Sequence, residues 1–457
     1  MIGRCEGRAG GSVPVQRREV IVLGAGLTGL SAGLELAGAG KEVLVLEEGP
    51  RVGGLAASFE HRGFHLDLGP HRYHSQSLPL LEQAADLLGE DLLRCHMQTS
   101  LSYAGHEYLY PLSLRDVLSK VDKVEAARMV ADFLRTRLRP GSPPRSFADW
   151  VVSRYGRRLY DSFFCGYTAK VWGVDPSLLD ASWAEQRIAS KGLVDTIAKM
   201  LAPWWARRHG QSIHSPYEPE FLYSARGMGL LAERLAERMQ ARGGELELGS
   251  RVSALRPRRG GILVRCGQRD YLARRVISTL PLTTLAALLG FRHMPALRYR
   301  GILFLYALAD TTAVLKKHWI YYQDREVLFN RVTDFHHFTP ALAPRGRSAL
   351  CFELTADPGE PAWDMSAEQL AARVLPQFER IRPGFSATVD EVLLRKVGHG
   401  YPVLHLGYRE ELERTMRRFS EVEGLHLAGR NGTFSYINMD HCLEQGRVLA
   451  RRLAASG

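Results

Sequence analysis

The residues whose types and spacing most directly imply chemistry are Gly24-Ala25-Gly26-Leu27-Thr28-Gly29, which follow the apolar run Glu19 to Leu23 without a break. A short β-branched run of this kind suits a buried parallel strand. Leu27, Leu30, Leu34 and Leu36 then recur among small residues in a helical pattern, and a second strand-like run, Glu42 to Leu46, ends at Glu47. In such a strand, turn, helix, strand and acid unit, Gly24 permits the tight turn and Gly26 lets the backbone approach a pyrophosphate. Gly29 lets the helix lie close on the strand. The helix start offers unpaired N–H groups and a partial positive charge to phosphate. Glu47, about 20 residues beyond the glycines, can accept both ribose hydroxyls of an adenosine and would repel a 2′-phosphate. The unit predicts a dinucleotide site with NADP excluded.

The next residues narrow the dinucleotide. Glu48-Gly49-Pro50-Arg51-Val52-Gly53-Gly54-Leu55-Ala56 resembles the extended segment of glutathione-reductase-like FAD proteins. The resemblance implies non-covalent FAD, with Gly53 and Gly54 passing close to the diphosphate and ribityl and Arg51 paired to phosphate. Val252, in the strand-like stretch Glu245 to Leu255, is implied to lie beside the adenine.

Other residues invite a functional and a structural reading side by side. Arg300 stands in the apolar run Tyr299 to Phe304, where an unpaired charge is costly, so a ligand or an acid must face it. Trp172 is either a core aromatic or a flat wall for a ligand. Arg187 either caps a helix or pairs with Glu185, or else binds substrate. His71 and His74 are candidates to face a flavin, and His336 and His337 read as ordinary surface or core histidines. Cys442 lies close to the flavin segment without the poised environment a covalent flavin link needs.

The elements that must position these residues are bounded by composition. A chain of 457 residues exceeds one hydrophobic core, and its 45% hydrophobic and 24% charged content is that of an ordinary globular protein. The net charge of +11 is dispersed, apart from a small cluster at Arg256, Arg258 and Arg259, which argues against nucleic acid and for an anionic small molecule. Six scattered cysteines form no C-x-x-C pair, which argues against a zinc site or disulfide framework and for a reducing cytoplasm. No run of 18 apolar residues occurs. Trp204-Trp205 with Arg207-Arg208 reads as a helix with buried indoles, with peripheral membrane contact as the alternative.

The expected plan is an α/β fold. Residues 1–18 form a disordered leader, and 19–76, 222–295 and 396–457 a discontinuous Rossmann-type FAD domain. Residues 77–221 form a mainly helical substrate unit and 296–395 a mixed-sheet substrate unit.

Taken together, the chain resembles the UDP-galactopyranose mutase branch of the superfamily that also holds amine oxidases and protoporphyrinogen oxidases. The resemblance runs over most of residues 19–453. It is carried by Asp67-Leu68-Gly69-Pro70-His71-Arg72-Tyr73-His74, by Tyr167-Thr168-Ala169-Lys170-Val171-Trp172-Gly173 and by Trp183 through Arg187. It continues in Tyr299 to Phe304, Tyr401-Pro402, Gly429-Arg430-Asn431-Gly432, Tyr436 and Asn438-Met439-Asp440. It implies that Gly69, Pro70 and His71 run beside the flavin, and that Gly429, Arg430, Asn438, Met439 and Asp440 close over its pyrophosphate and ring. It also implies a nucleotide-sugar substrate attacked through the flavin N5. Arg187 and Arg300 would grip the diphosphate, Tyr401 would add a hydroxyl, and Tyr167 and Trp172 would form flat walls; His71 would tune flavin protonation. NADPH or NADH would be the external reductant. Two positions depart from the bacterial mutases. Ser190-Lys191 stands where a second arginine is expected, and Phe329 where a phosphate-binding tyrosine is expected, with Arg331 as the nearest replacement. The alternative is a flavin oxidoreductase of the amine-oxidase, porphyrinogen-oxidase or desaturase type, with a largely apolar pocket. Nothing in the sequence sets the oligomeric state.

Overall fold

The computed structural model describes residues 15–110, 112, 114–138, 143–187, 220–312 and 314–456. The first of two seven-stranded sheets is built around β1 (Val15–Leu23) and β2 (Val43–Leu46). On it lie β9 (Glu245–Glu247), β10 (Val252–Arg258), β11 (Gly261–Cys266), β12 (Arg269–Ser278) and β18 (Leu425–Leu427). Their order is β10-β11-β12-β1-β2-β9, with β18 also on β12. The β1, β2, β9, β12 and β18 pairings are parallel, and the β10-β11-β12 part is an antiparallel meander. Both faces of β1 and β2 are covered, which their uninterrupted apolar runs require. Val20, Val22, Val43 and Val45 join the core under helices Leu27–Gly38, Gly229–Ala241 and Met439–Ala455. Ile21, Leu23, Leu44 and Leu46 face the opposite core with Tyr271, Leu285 and Phe419. This period-two division follows from alternation along a strand.

The second sheet runs β17 (Val389–Pro402), β13 (Tyr299–Ala309), β16 (Ser348–Thr355), β15 (Arg331–Asp334), β14 (Trp319–Tyr322), β6 (Thr99–Tyr103), β7 (His106–Leu109). Every residue of β13 is buried, so this strand is the spine of the sheet. Two short pairs complete the strands: β3 (Ser58–His61) with β4 (Phe64–Asp67), and β5 (Leu92–His96) with β8 (Glu220–Ser224).

Three boundaries differ from the sequence reading. The first strand begins at Val15, so residues 15–18 pair with β12 rather than belonging to a leader; residues 1–14 lie outside the description. The boundary at 396 falls inside β17, because β17 pairs with β13 along nearly its whole length. The helical segment 77–221 lends β6 and β7 to the mixed sheet and β5 to a strand pair. Trp204, Trp205, Ser190 and Lys191 fall outside the described residues. Among the described residues, no helix is long and apolar enough to cross a membrane.

The β3–β4 hairpin ties the two sheets together. Asp67, fully buried at its end, accepts the Tyr223 hydroxyl at 2.7 Å and the Met228 N–H at 3.1 Å, and its carbonyl accepts the Tyr306 hydroxyl at 2.7 Å. Burial pushes the Asp67 carboxyl up to about 6 against these donors. The chain leaving it, through Gly69 to His71, therefore crosses the interface on a fixed anchor.

Candidate flavin and substrate site

The cradle for a dinucleotide is assembled from four stretches of chain. Gly24 turns off β1 with φ +99°, donates its N–H to the Leu46 carbonyl at 2.8 Å, and has no room for a side chain beside Thr279. A Cβ at Gly29 would lie 2.0 Å from the Gly24 carbonyl oxygen, so the helix rests on the turn itself. Gly26 differs: a Cβ there would meet nothing within 4 Å, which leaves its face open. Gly26 caps helix Leu27–Gly38 without a side-chain hydrogen bond, so the first turn, with Leu27 and Thr28, keeps its free N–H groups. The Glu47 carboxylate accepts Ala25 N–H and Gly49 N–H at 2.8 Å each, fastening the turn after β1 to the turn after β2. Gly53, at φ +109°, donates to the Ala25 carbonyl at 2.9 Å, and Gly54 lies against Gly26, where its missing Cβ would be 3.3 Å from the Gly26 Cα.

The closing wall comes from the end of the chain. Gly429 donates its N–H to the Gln445 side chain at 2.9 Å and abuts Thr28. Arg430 donates twice to the Ile437 carbonyl, at 3.0 and 2.7 Å, with its guanidinium 4.6 Å from the Tyr436 ring. Asn438 caps helix Met439–Ala455 without a side-chain bond, Met439 packs against the core, and buried Asp440 accepts Ser75 Oγ at 2.9 Å. A Cβ at Gly446 would lie 2.3 Å from the Thr28 carbonyl oxygen, so the last helix seats directly on the first. The open face at Gly26, two helix starts without side-chain caps, and the buried unpartnered His71 Nδ1, His74 Nδ1 and Asn431 Oδ1 suit a group rich in phosphate and hydroxyl oxygens. FAD fits.

The exposed Arg51 guanidinium donates to the Ser58 carbonyl at 3.2 Å and lies over the Phe59 ring. Exposed Glu48 is 3.7 Å from Arg251. Leu55 sits in the short turn Gly54–Ala56, and Val252 opens β10 half-buried. Gly69 rests on the Phe304 ring, and Pro70 carries the chain into His71. Burial, reinforced by Arg331 and Arg430, pushes His71 down to about 4, so it is neutral near pH 7.

A cavity of about 160 Å³ with aromatic walls lies among Tyr167, Trp172, Trp183, Tyr321, Tyr401 and Tyr436. Trp172 is edge-on to Trp183 at 4.5 Å and tilted against Tyr401 at 5.9 Å. Tyr436 closes that corner, 4.8 Å from Trp183 and 5.7 Å from Tyr401. Tyr167 stands edge-on to Tyr321 at 5.9 Å across the cavity. The charged groups in its described lining are Arg331 and Glu353, opposite each other on β15 and β16 and joined by an ion pair, with Arg331 Nε 3.2 Å from Glu353 Oε2. The Tyr401 hydroxyl donates to the other Glu353 oxygen at 3.4 Å. Burial and Glu353 keep the Tyr401 phenol protonated.

Of the substrate residues expected from sequence, Tyr167, Trp172 and Tyr401 line this cavity. Arg300 does not. It is 4% exposed, and its guanidinium is held by Asp357 at 3.1 Å, Glu360 at 2.7 Å and the Thr355 carbonyl at 3.0 Å, against Gly173. An acid partner, and not a ligand, answers its buried charge. Phe329 is also corrected: its ring is fully buried against Tyr322, Phe352 and Phe378, away from the cavity. Arg187 ends helix Ala181–Arg187, and its side chain is outside the description. The reading missed the Arg331–Glu353 pair and Gln323. Arg331, named from the resemblance as a replacement for the missing tyrosine, does line the cavity, but paired to Glu353.

Lys170, from the same motif as Trp172, serves as a clamp. Its Nζ donates to the carbonyls of Tyr322, Asp324, Val327 and Phe329 at 2.8, 3.0, 3.3 and 3.1 Å. Burial pushes it down to about 7, while four carbonyl acceptors favour the ammonium.

Known proteins share this architecture. The family model for flavin containing amine oxidoreductases matches residues 27–454. A probable UDP-galactopyranose mutase of Klebsiella pneumoniae is 23% identical over 177 residues, 37% of this chain and 44% of that protein, so the chain spans less than half of that relative's length. The solved structure of a reduced UDP-galactopyranose mutase superposes with a TM-score of 0.82 at 19% identity, covering 96% of both chains. A cyclohexylamine oxidase from Brevibacterium oxydans superposes with a TM-score of 0.68 at 15% identity, covering 96% of this chain and 99% of that one. At such identities the superpositions establish the fold.

Proposed function

Because the chain belongs to the family of flavin containing amine oxidoreductases, we propose that this FAD-dependent enzyme oxidises a largely apolar small molecule held in the aromatic cavity. Gly24 to Gly29, Glu47, Gly53-Gly54 and Gly429 to Asp440 would hold the cofactor, which supplies two-electron redox chemistry at its ring. The observation that carries the reading is the lining: flat aromatic walls with one arginine and one glutamate already neutralised against each other. Burying a diphosphate there would require breaking that pair and leaving a carboxylate without its partner, which costs several kcal/mol, on the order of 3–5. A neutral aromatic or alicyclic guest leaves the pair intact and gains from ring contact. His71, kept neutral by burial and by Arg331 of the cavity lining, retains an unpartnered Nδ1.

The test is anaerobic mixing of the yellow holoenzyme with a panel of apolar amines, cyclic alkenes and polyenes, following bleaching of the oxidised flavin. Bleaching by a panel member, with the matching dehydrogenated product, is the expected result. A flavin that no panel member reduces, in a protein that isomerises a UDP-hexose only after reduction, would overturn it.

That outcome would establish the second reading, redox-neutral mutase chemistry on a nucleotide sugar with NADPH or NADH as reductant. One observation favours it: Arg331, half-buried in the cavity lining with Tyr401, is a guanidinium in the place where a phosphate oxygen could replace Glu353.

A further inference from the structure

Gln323 follows β14 directly and is 5% exposed in the wall of the aromatic cavity. Its backbone is held from three sides. The Gln323 N–H donates to the Ser102 carbonyl at 3.0 Å, and Lys170 binds the carbonyls of Tyr322 and Asp324, the residues on either side. Its side chain is fixed as well. Nε2 donates to the Phe163 carbonyl at 2.6 Å, in the π-turn Asp161–Cys165, which fixes which end of the amide is oxygen. The remaining polar atom, Oε1, is buried and has no hydrogen-bond partner. An unsatisfied buried acceptor held on so rigid a mount is a cost to the fold unless something fills it.

We propose that Gln323 Oε1 is the specificity-determining acceptor of the cavity, selecting an otherwise apolar substrate that carries one hydrogen-bond donor, an N–H or O–H group. Lys170 acts as a positioning residue, since its ammonium fixes the backbone on both sides of Gln323. The aromatic walls read shape and Gln323 reads the donor. A site built to bond a donor rejects the analogue lacking it, because the acceptor is then left unpaired. The assignment rests on the reading that the aromatic cavity is the substrate site.

Calorimetric titration of the holoenzyme with indole and with benzofuran tests it, since the two share a shape and only indole has an N–H. Indole should bind at least ~10-fold tighter than benzofuran. In Gln323→Met, which keeps length but has no amide oxygen, the preference should fall to near parity with benzofuran affinity retained. Lys170→Met should reduce the same ratio, which a purely structural loss, weakening both probes alike, would not do. Equal wild-type binding of both probes, abolished by Val171→Trp in the cavity wall, would overturn the role of Gln323 and leave the cavity reading intact. No binding of either probe, or binding that Val171→Trp does not disturb, would overturn the cavity reading and the proposal with it.

Discussion

His318 shows how one buried side chain sets a pH limit. It is 3% exposed, its Nδ1 accepts the Gln98 N–H at 3.1 Å, and the His337 ring stands edge-on at 4.7 Å. Burial first, then His337, pushes it from 6.5 down to about 3. The unfolded chain therefore takes up a proton at this position below pH 6.5 while the fold does not until about pH 3. The contribution is intact above the upper value and drains as pH falls through the window, by about 1.4 kcal/mol per pH unit. Asn at 318 retains an acceptor and cannot be protonated. Thermal melts between about pH 7 and pH 4 should show wild type losing Tm more steeply than His318→Asn, and parallel profiles would refute the assignment. At this scale, much of the site could be read from sequence where the determinants are local. Gly24, Gly26, Gly29 and Glu47 stand in one unit whose spacing carries its geometry, and Trp172 was flagged by its motif. Gln323, the burial of Phe329 and the pairing of Arg331 with Glu353 could not be read, because each depends on contacts between segments 20 to more than 150 residues apart.

At the scale of elements, close contact between two helices decides whether the cradle closes. Helix Met439–Ala455 meets helix Leu27–Gly38 at Gly446, where any side chain would strike the Thr28 carbonyl. Gly446→Val should force the helices apart, destabilise the protein by about 1–3 kcal/mol and leave it with substoichiometric FAD. Gly249→Ala is the control. It lies at φ +63° with nothing within 4 Å of the added Cβ, so it costs only local backbone strain, about 1 kcal/mol. The ratio of flavin to protein absorbance reads both variants; full FAD in Gly446→Val would show that the contact does not shape the site. The elements themselves were largely foreseeable. Short uninterrupted apolar runs gave β1 and β2, and leucine periodicity gave the helix after Gly26. The strands β6 and β7 were hidden inside a segment read as helical, because short strands are stabilised by the sheet that accepts them more than by their own sequence.

At the scale of the molecule, the two sheets share their walls. Tyr306 of the second sheet donates to Asp67, Phe304 supports Gly69, and the cradle draws on residues near the start and the end of the chain. FAD should therefore stabilise the whole protein as one unit, by about 2.7 kcal/mol at a hundredfold excess over its Kd. Calorimetry should show a single transition that moves up with FAD, and a second transition indifferent to FAD would contradict this coupling. The seat of Gly446 on Thr28 also bears on biosynthesis. Gly446 leaves the ribosome roughly 400 residues after Gly29, some 20–80 s later at 5–20 residues per second. The glycine turn is thus translated long before the pocket it belongs to can exist, since helix Met439–Ala455 must emerge first. Cofactor capture must wait for that helix, and ribosomes stalled before it should carry colourless nascent chains.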